Sequence, residues 1–267
     1  MTDTSMSEAR GRAPGELGPV QAGQPRGRLY GLGVGPGDPE LLTLKALRIL
    51  RGVPVFAYPA SDSGPSLARR IVEPHLIGGQ REIAITIPMR VDRVPAREVY
   101  DEAALRIAAE LDAGNDVAVL CEGDPFFYGS FMYLFERLAT AHEVEIVPGI
   151  SSVMASAAAA LRPLASRNDV LTVIPGPLAD EAIAALVERS QGFAIMKVGR
   201  HLPRLRALLG SLGLLDSTLY LERVSQDGER IVPLAEAPDA APYFSMILGY
   251  RGVEPAMAGG LRRKEPE

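Results

Sequence analysis

Three short segments of the chain combine glycine and proline with an acid or hydroxyl, each where an apolar run ends. They are Gly31-Leu32-Gly33-Val34-Gly35-Pro36-Gly37-Asp38-Pro39, Glu122-Gly123-Asp124-Pro125-Phe126-Phe127-Tyr128-Gly129 and Val147-Pro148-Gly149-Ile150-Ser151-Ser152. Glycine lets a backbone turn sharply and approach a ligand closely. Backbone N–H groups at such turns, and at the start of a following helix, can bind anionic or ribose oxygens. The spacing fails two common phosphate-binding patterns. Counting G-x-G-x-x-G from Gly31 ends on Pro36 and from Gly33 on Asp38, and no Gly-Lys-Ser/Thr follows. The Ala57-Tyr58-Pro59-Ala60-Ser61 run also lacks an acid to hold a dinucleotide ribose. A pyrophosphate cradle is therefore disfavoured, and with it a nucleotide-dependent oxidoreductase.

The elements that must position these turns alternate. Strands are expected at 28–34, 53–58, 82–87, 117–121 and 144–147, and helices at 40–50, 66–76, 94–113 and 130–139. The apolar density of 82–87 reads as a buried strand, and Pro54 makes the second strand start late or lie near an edge. Strand–helix alternation implies a parallel, doubly wound sheet, with ligands in the crevice outside the carboxyl ends of the strands. An alanine-rich helix at 151–161 leads into a second half, with strands at 170–174 and 193–196 and helices at 179–189 and 203–209. The strand-like runs 218–224, 230–234 and 243–248 follow without helices, which reads as a mixed sheet. The expected architecture is α/β in two domains, an N-terminal one over 28–150 and a C-terminal one over 151–255. The active site should lie in the cleft between them. Residues 1–27 read as a disordered tail and 256–267 as a flexible end.

Composition narrows the partners. Over 267 residues, 47% are hydrophobic and 23% charged, with a net charge of −5. That balance supports a packed core and argues against nucleic acid as a partner. No apolar window is long enough for a membrane helix, and no signal peptide is apparent. The single cysteine, Cys121, leaves no intramolecular disulfide and fits the cytoplasm. His75, His142 and His201 lack metal-ligand spacing, so no bound metal is expected.

The run from Gly33 to Thr43, the Glu122-Gly123-Asp124-Pro125 segment with Tyr128-Gly129-Ser130, and the Val147 to Ser152 turn together resemble the three motifs of the tetrapyrrole methylases, over about residues 28 to 250. Within that family, Asp38 to Ala46, Cys121 to Pro125 and Gly129 to Leu134 look most like the subfamily that methylates C-20 of precorrin-2. The resemblance implies an S-adenosylmethionine (SAM) site between the domains. Carried over by motif, its contacts fall at Pro36, Glu122, Gly123, Asp124, Phe127, Ser151 and Ser152, with Met196 and Val224 from the second half. It also implies a homodimer and a tetrapyrrole substrate, precorrin-2 or its cobalt-bearing counterpart. Relatives often carry two glycines where this chain has Glu122-Gly123, which leaves the role of the Glu122 side chain open. No catalytic residue is nominated. Asp38 and Tyr128 are possible bases only by their proximity to the motifs, and Asp38 better suits a loop or helix start. Asp124 equally suits capping its own turn. A substrate rich in carboxylates would need cations, for which Arg69, Arg70, Arg90, Arg93, Arg97 and Arg167 are candidates. A module that binds a tetrapyrrole without reacting is the non-enzymatic alternative.

Overall fold

The computed structural model describes residues 26–61, 64–87 and 94–252, the side chains of 94–96 excepted. Most of the expected tail, the candidate cations Arg90 and Arg93, and the expected flexible end lie outside the described residues. The first half runs β1 (Leu29–Gly33), α1 (Leu44–Gly52), β2 (Val55–Ser61), α2 (Leu67–Val72), β3 (Arg81–Ile87), α3 (Val94–Asp112), β4 (Val117–Cys121), α4 (Phe131–Leu138) and β5 (Val144–Val147). Its five strands form one parallel sheet in the order β3-β2-β4-β1-β5.

β4 is buried along its whole length because both sheet faces are covered. Side chains alternate across a strand. Val117, Val119 and Cys121 accordingly pack with α3 and α4, while Ala118 and Leu120 pack with α1 and α2. β3 is different. It is an edge strand in which buried Ile83 and Ile85 alternate with exposed neighbours, so its apolar residues serve one face and the fully buried strand expected there is half-buried instead. β2 starts at Val55, just past Pro54, and is second from the edge. Its Pro59 is tolerated because β4 pairs with β2 only over Val55 to Ala57, leaving that side of Pro59 without a ladder partner.

The helix expected over 40–50 begins later. Asp38 caps a short 3-10 turn over Pro39–Leu41 through Glu40 N–H at 2.8 Å, Leu42 is extended, and Thr43 caps α1 by accepting from Ala46 N–H at 3.1 Å.

The second half runs α5 (Ser152–Ala159), β6 (Leu171–Pro175), α6 (Asp180–Glu188), β7 (Gly192–Met196), α7 (Leu202–Ser211), β8 (Thr218–Glu222), β9 (Arg230–Pro233) and β10 (Ser245–Tyr250). These strands form a mixed sheet, β6-β7-β10-β8-β9, with only β6 and β7 parallel. Phe193, Ile195, Tyr220 and Ile247 face α6 and α7 on one side. On the other side Ala194, Leu221, Met246 and Leu248 meet Val153 and Ala155 of α5. The small side chains of α5 let it lie close against the second sheet while its start belongs to the loop leaving the first. No helix among the described residues is long and apolar enough to cross a membrane.

Candidate functional site

In the first sheet, β1 and β4 are neighbours whose onward connections run in opposite directions, to β2 on one side and to β5 on the other. Such a switch point opens a crevice at the carboxyl ends of the strands. The loops that leave β1, β4 and β5 meet there. Gly35 and Gly123 bridge through their backbones, N–H to carbonyl at 3.3 Å and 2.8 Å. Gly123 has φ +68°, a region that favours glycine. Gly149 fits where nothing larger can, since a Cβ there would stand 2.0 Å from the Gly123 carbonyl oxygen and 2.7 Å from the Gly33 Cα.

Asp124 locks this junction. Its Oδ1 accepts from Phe126 N–H at 2.9 Å within its own turn, and its Oδ2 accepts from Gly149 N–H at 3.0 Å. Both carboxylate oxygens are thus occupied by backbone donors, the capping role the sequence allowed. Ser151 caps α5 by accepting from Met154 N–H at 3.4 Å.

A cavity of about 600 Å³ opens from this junction toward the second sheet. Pro36, Glu122, Gly123, Asp124, Phe127, Ser151, Ser152, Met196 and Val224 all line it, so all nine cofactor contacts expected from the resemblance reach one cleft. Met196 ends β7 and Val224 follows β8 by two residues. Beneath them Phe127 and Met196 pack with Leu221 and Met246, giving an apolar floor. The loop after β8 also grips the first glycine loop. Gln226 donates through Nε2 to the Pro36 carbonyl at 3.0 Å, Asp38 N–H reaches Ser225 Oγ at 3.4 Å, and Gly37 is pressed on both.

The Glu122 side chain points into the cleft, with Oε1 accepting from Ala68 N–H in the first turn of α2 at 3.2 Å. Burial raises its carboxyl above the usual range, against the lowering effect of the Ala68 and Glu122 N–H groups. The neighbouring Cys121 thiol is pushed up by burial as well.

Of the two candidate bases, Asp38 is engaged as a cap outside the cleft, whereas Tyr128 lines it. Of the candidate cations, Arg70 lines the cleft. Arg69 is occupied by Glu82 at 3.0 Å and Glu73 at 3.4 Å, while Arg97 and Arg167 lie away from the lining. Two cleft cations were missed, Lys197 and Arg223, along with Gln226 and the aromatic pair Tyr243 and Phe244. A signal existed for the cations, since Lys197 directly follows Met196 and Arg223 directly precedes Val224.

A family model described as Tetrapyrrole (Corrin/Porphyrin) Methylases matches residues 28–238. The chain is 40% identical to the precorrin-2 C(20)-methyltransferase of Sinorhizobium sp, over 83% of this chain and 94% of that one. It is 36% identical to the cobalt-precorrin-2 C(20)-methyltransferase of Salmonella typhimurium, over 83% and 95%. It spans about half the length of other curated relatives, such as the cobalamin biosynthesis protein CobIJ of Mycobacterium tuberculosis, at 38% identity over 89% of this chain and 47% of that protein. A solved uroporphyrin-III C-methyl transferase from Thermus thermophilus, complexed with S-adenyl homocysteine, superposes with a TM-score of 0.62 at 27% identity, covering 84% of this chain and 92% of that one.

Proposed function

Since this chain belongs to the tetrapyrrole (corrin/porphyrin) methylases, we propose that it transfers a methyl group from SAM to C-20 of precorrin-2, a step of cobalamin biosynthesis. The observation that carries the reading is the convergence of nine motif residues, at or just past the carboxyl ends of five strands in two sheets, on one cleft.

The residues present fit the donor. A cavity of about 600 Å³ is within the range of small-molecule sites. The Ser152 and Val153 N–H groups opening α5 lie outside that helix's own ladder and suit the donor's carboxylate or ribose oxygens. Phe127 and Met196 offer an apolar slot for its adenine. When bound, SAM supplies an electrophilic methyl group on a sulfonium. The protein's task is then alignment and exclusion of water, with no covalent intermediate on a side chain. The rigid junction of Gly33, Gly123 and Gly149 fixes the loops that bear the contacts, and Asp124 holds that junction closed. Glu122, with its raised carboxyl, is placed to hold a proton or a ligand N–H or O–H at the carboxyl end of β4.

The protein is assigned no metal of its own, and its compartment is the cytoplasm, which suits the free thiol of Cys121. It is further assigned as a homodimer. Phe126 and Phe135 stack edge to face at 5.3 Å while 49% and 37% exposed, an apolar face beside α4 that a second copy can cover. Sedimentation at micromolar concentration should give twice the 28.5 kDa of the chain.

The deciding experiment is anaerobic incubation with SAM and precorrin-2, with and without EDTA, followed by mass spectrometry of the ring. The cobalt-bearing ring is run in parallel. One added methyl on the metal-free ring, unaffected by EDTA, is the expected result. Preference for the cobalt ring would reassign the substrate, and SAM binding without methylation of either would discard the C-20 assignment.

A further inference from the structure

Five charged side chains line the cleft: Arg70, Glu122, Asp124, Lys197 and Arg223. Asp124 is spent on two backbone N–H groups, and Glu122 commits one oxygen to Ala68 N–H. The three cations are not matched in this way. Among the described residues no carboxylate lies within ion-pair distance of Arg70, Lys197 or Arg223, which leaves all three available to a ligand in the cleft. In a chain of net charge −5, the cleft thus carries three cations against two carboxylates already engaged by backbone N–H groups.

Two of these cations also stand on a constrained backbone. Lys197 follows the last residue of β7 with φ +58°, and Arg223 follows the last residue of β8 with φ +50°. Glycine adopts this region freely, and long side chains are uncommon in it. Across the cleft Tyr128 is likewise left-handed, at φ +57°, and the Lys197 ammonium sits 4.9 Å from its ring centroid. Backbone strain that persists at several residues around one cavity points to side chains kept for what they bind.

We propose that Lys197 and Arg223 take the carboxylates on the rim of the substrate ring, with Arg70 completing the set from the opposite wall. The proposal rests on the tetrapyrrole methylase reading, whose substrate is a polycarboxylate. A guanidinium fork matches a carboxylate in two hydrogen bonds, and an ammonium acts as a point charge. The Tyr128 face holds the Lys197 ammonium at the cleft until a carboxylate replaces it.

The test uses Lys197→Gly and Arg223→Gly, singly and together, with Lys197→Gln and Arg223→Gln as variants that remove charge while keeping a side chain. Glycine relieves the left-handed backbone, so the melting temperature should hold or rise, which a purely structural role would not give. The Kd for S-adenosylhomocysteine, read by calorimetry, should stay within about threefold. The KM for precorrin-2 should rise about tenfold in each single variant, the loss expected for one charge-assisted hydrogen bond, and its dependence on salt should flatten. Lys197→Arg should largely restore it. A double variant with wild-type KM and salt dependence would overturn the assignment alone. Wild-type protein that binds S-adenosylhomocysteine but no tetrapyrrole would remove the underlying reading and the assignment with it.

Discussion

Alanine at position 149 would place a Cβ 2.0 Å from the Gly123 carbonyl oxygen, at a point where backbone meets backbone and no side chain can yield. Gly149→Ala should therefore cost about 3 kcal/mol, visible as a lower urea midpoint, and should abolish S-adenosylhomocysteine binding in whatever fraction stays folded. Glu122 gives a prediction of opposite sign. Its carboxyl is raised by burial, so the folded protein holds the proton to higher pH than the unfolded chain does. Stability then falls as pH rises from the ordinary carboxyl range through the raised value, and the cost persists at neutral pH. Glu122→Gln, which keeps an acceptor for Ala68 N–H, should melt higher than wild type at pH 7. The two proteins should converge below about pH 4, where both unfolded and folded Glu122 are protonated. A constant difference across that range would show that charge is not the cause. The sequence made such residues legible where a motif surrounded them. Lys197, Arg223 and Tyr128 show the limit: left-handed backbone at Lys, Arg or Tyr has no signature in residue type, because glycine and asparagine are the usual occupants.

Helix starts separate what holds the fold from what forms the cleft. Thr43 and Ser151 cap α1 and α5 in the same way, through the N–H three residues on. Thr43→Ala and Ser151→Ala should each cost about 1 kcal/mol of stability, but only the Ser151 variant should weaken S-adenosylhomocysteine binding. Equal effects on binding would mean that α5 does not carry the site. Strand positions were readable because the core strands are short apolar runs ended by glycine and proline, as in Val117 to Cys121. The helix expected at 40–50 was misplaced because its apolar spacing runs unbroken through Leu41 and Leu42. Only the competing caps at Asp38 and Thr43 divide that stretch into a 3-10 turn and a later helix. The fully buried strand expected at 82–87 failed for a different reason: its apolar density masks the alternation of Ile83, Ile85 and Ile87, which marks a strand buried on one face only.

The two sheets are clasped at the cleft by the grip of the loop after β8 on the first glycine loop. Gly37→Ala would press a Cβ to 2.4 Å from Gln226 Cγ and 2.5 Å from the Ser225 carbonyl oxygen. That variant should keep both sheets folded by circular dichroism, enlarge the radius of gyration in X-ray scattering, and weaken S-adenosylhomocysteine binding about tenfold, the loss of one well-made hydrogen-bonded contact. Unchanged scattering and affinity would show that the clasp is incidental. None of this contact was legible beforehand, because it joins residues nearly two hundred positions apart. The strand order has a further consequence during synthesis on the ribosome. β1 and β2 never touch, and β4 is the strand inserted between them. Gly33 must therefore wait for its partner Cys121, roughly 88 residues later, which at about 5–20 residues per second is a delay of about 4 to 18 s. Throughout that interval the first strand of the chain has no sheet to join. The nascent protein is exposed to misassociation until residue 121 has left the exit tunnel, and slowing elongation between β3 and β4 should lengthen its dependence on chaperones.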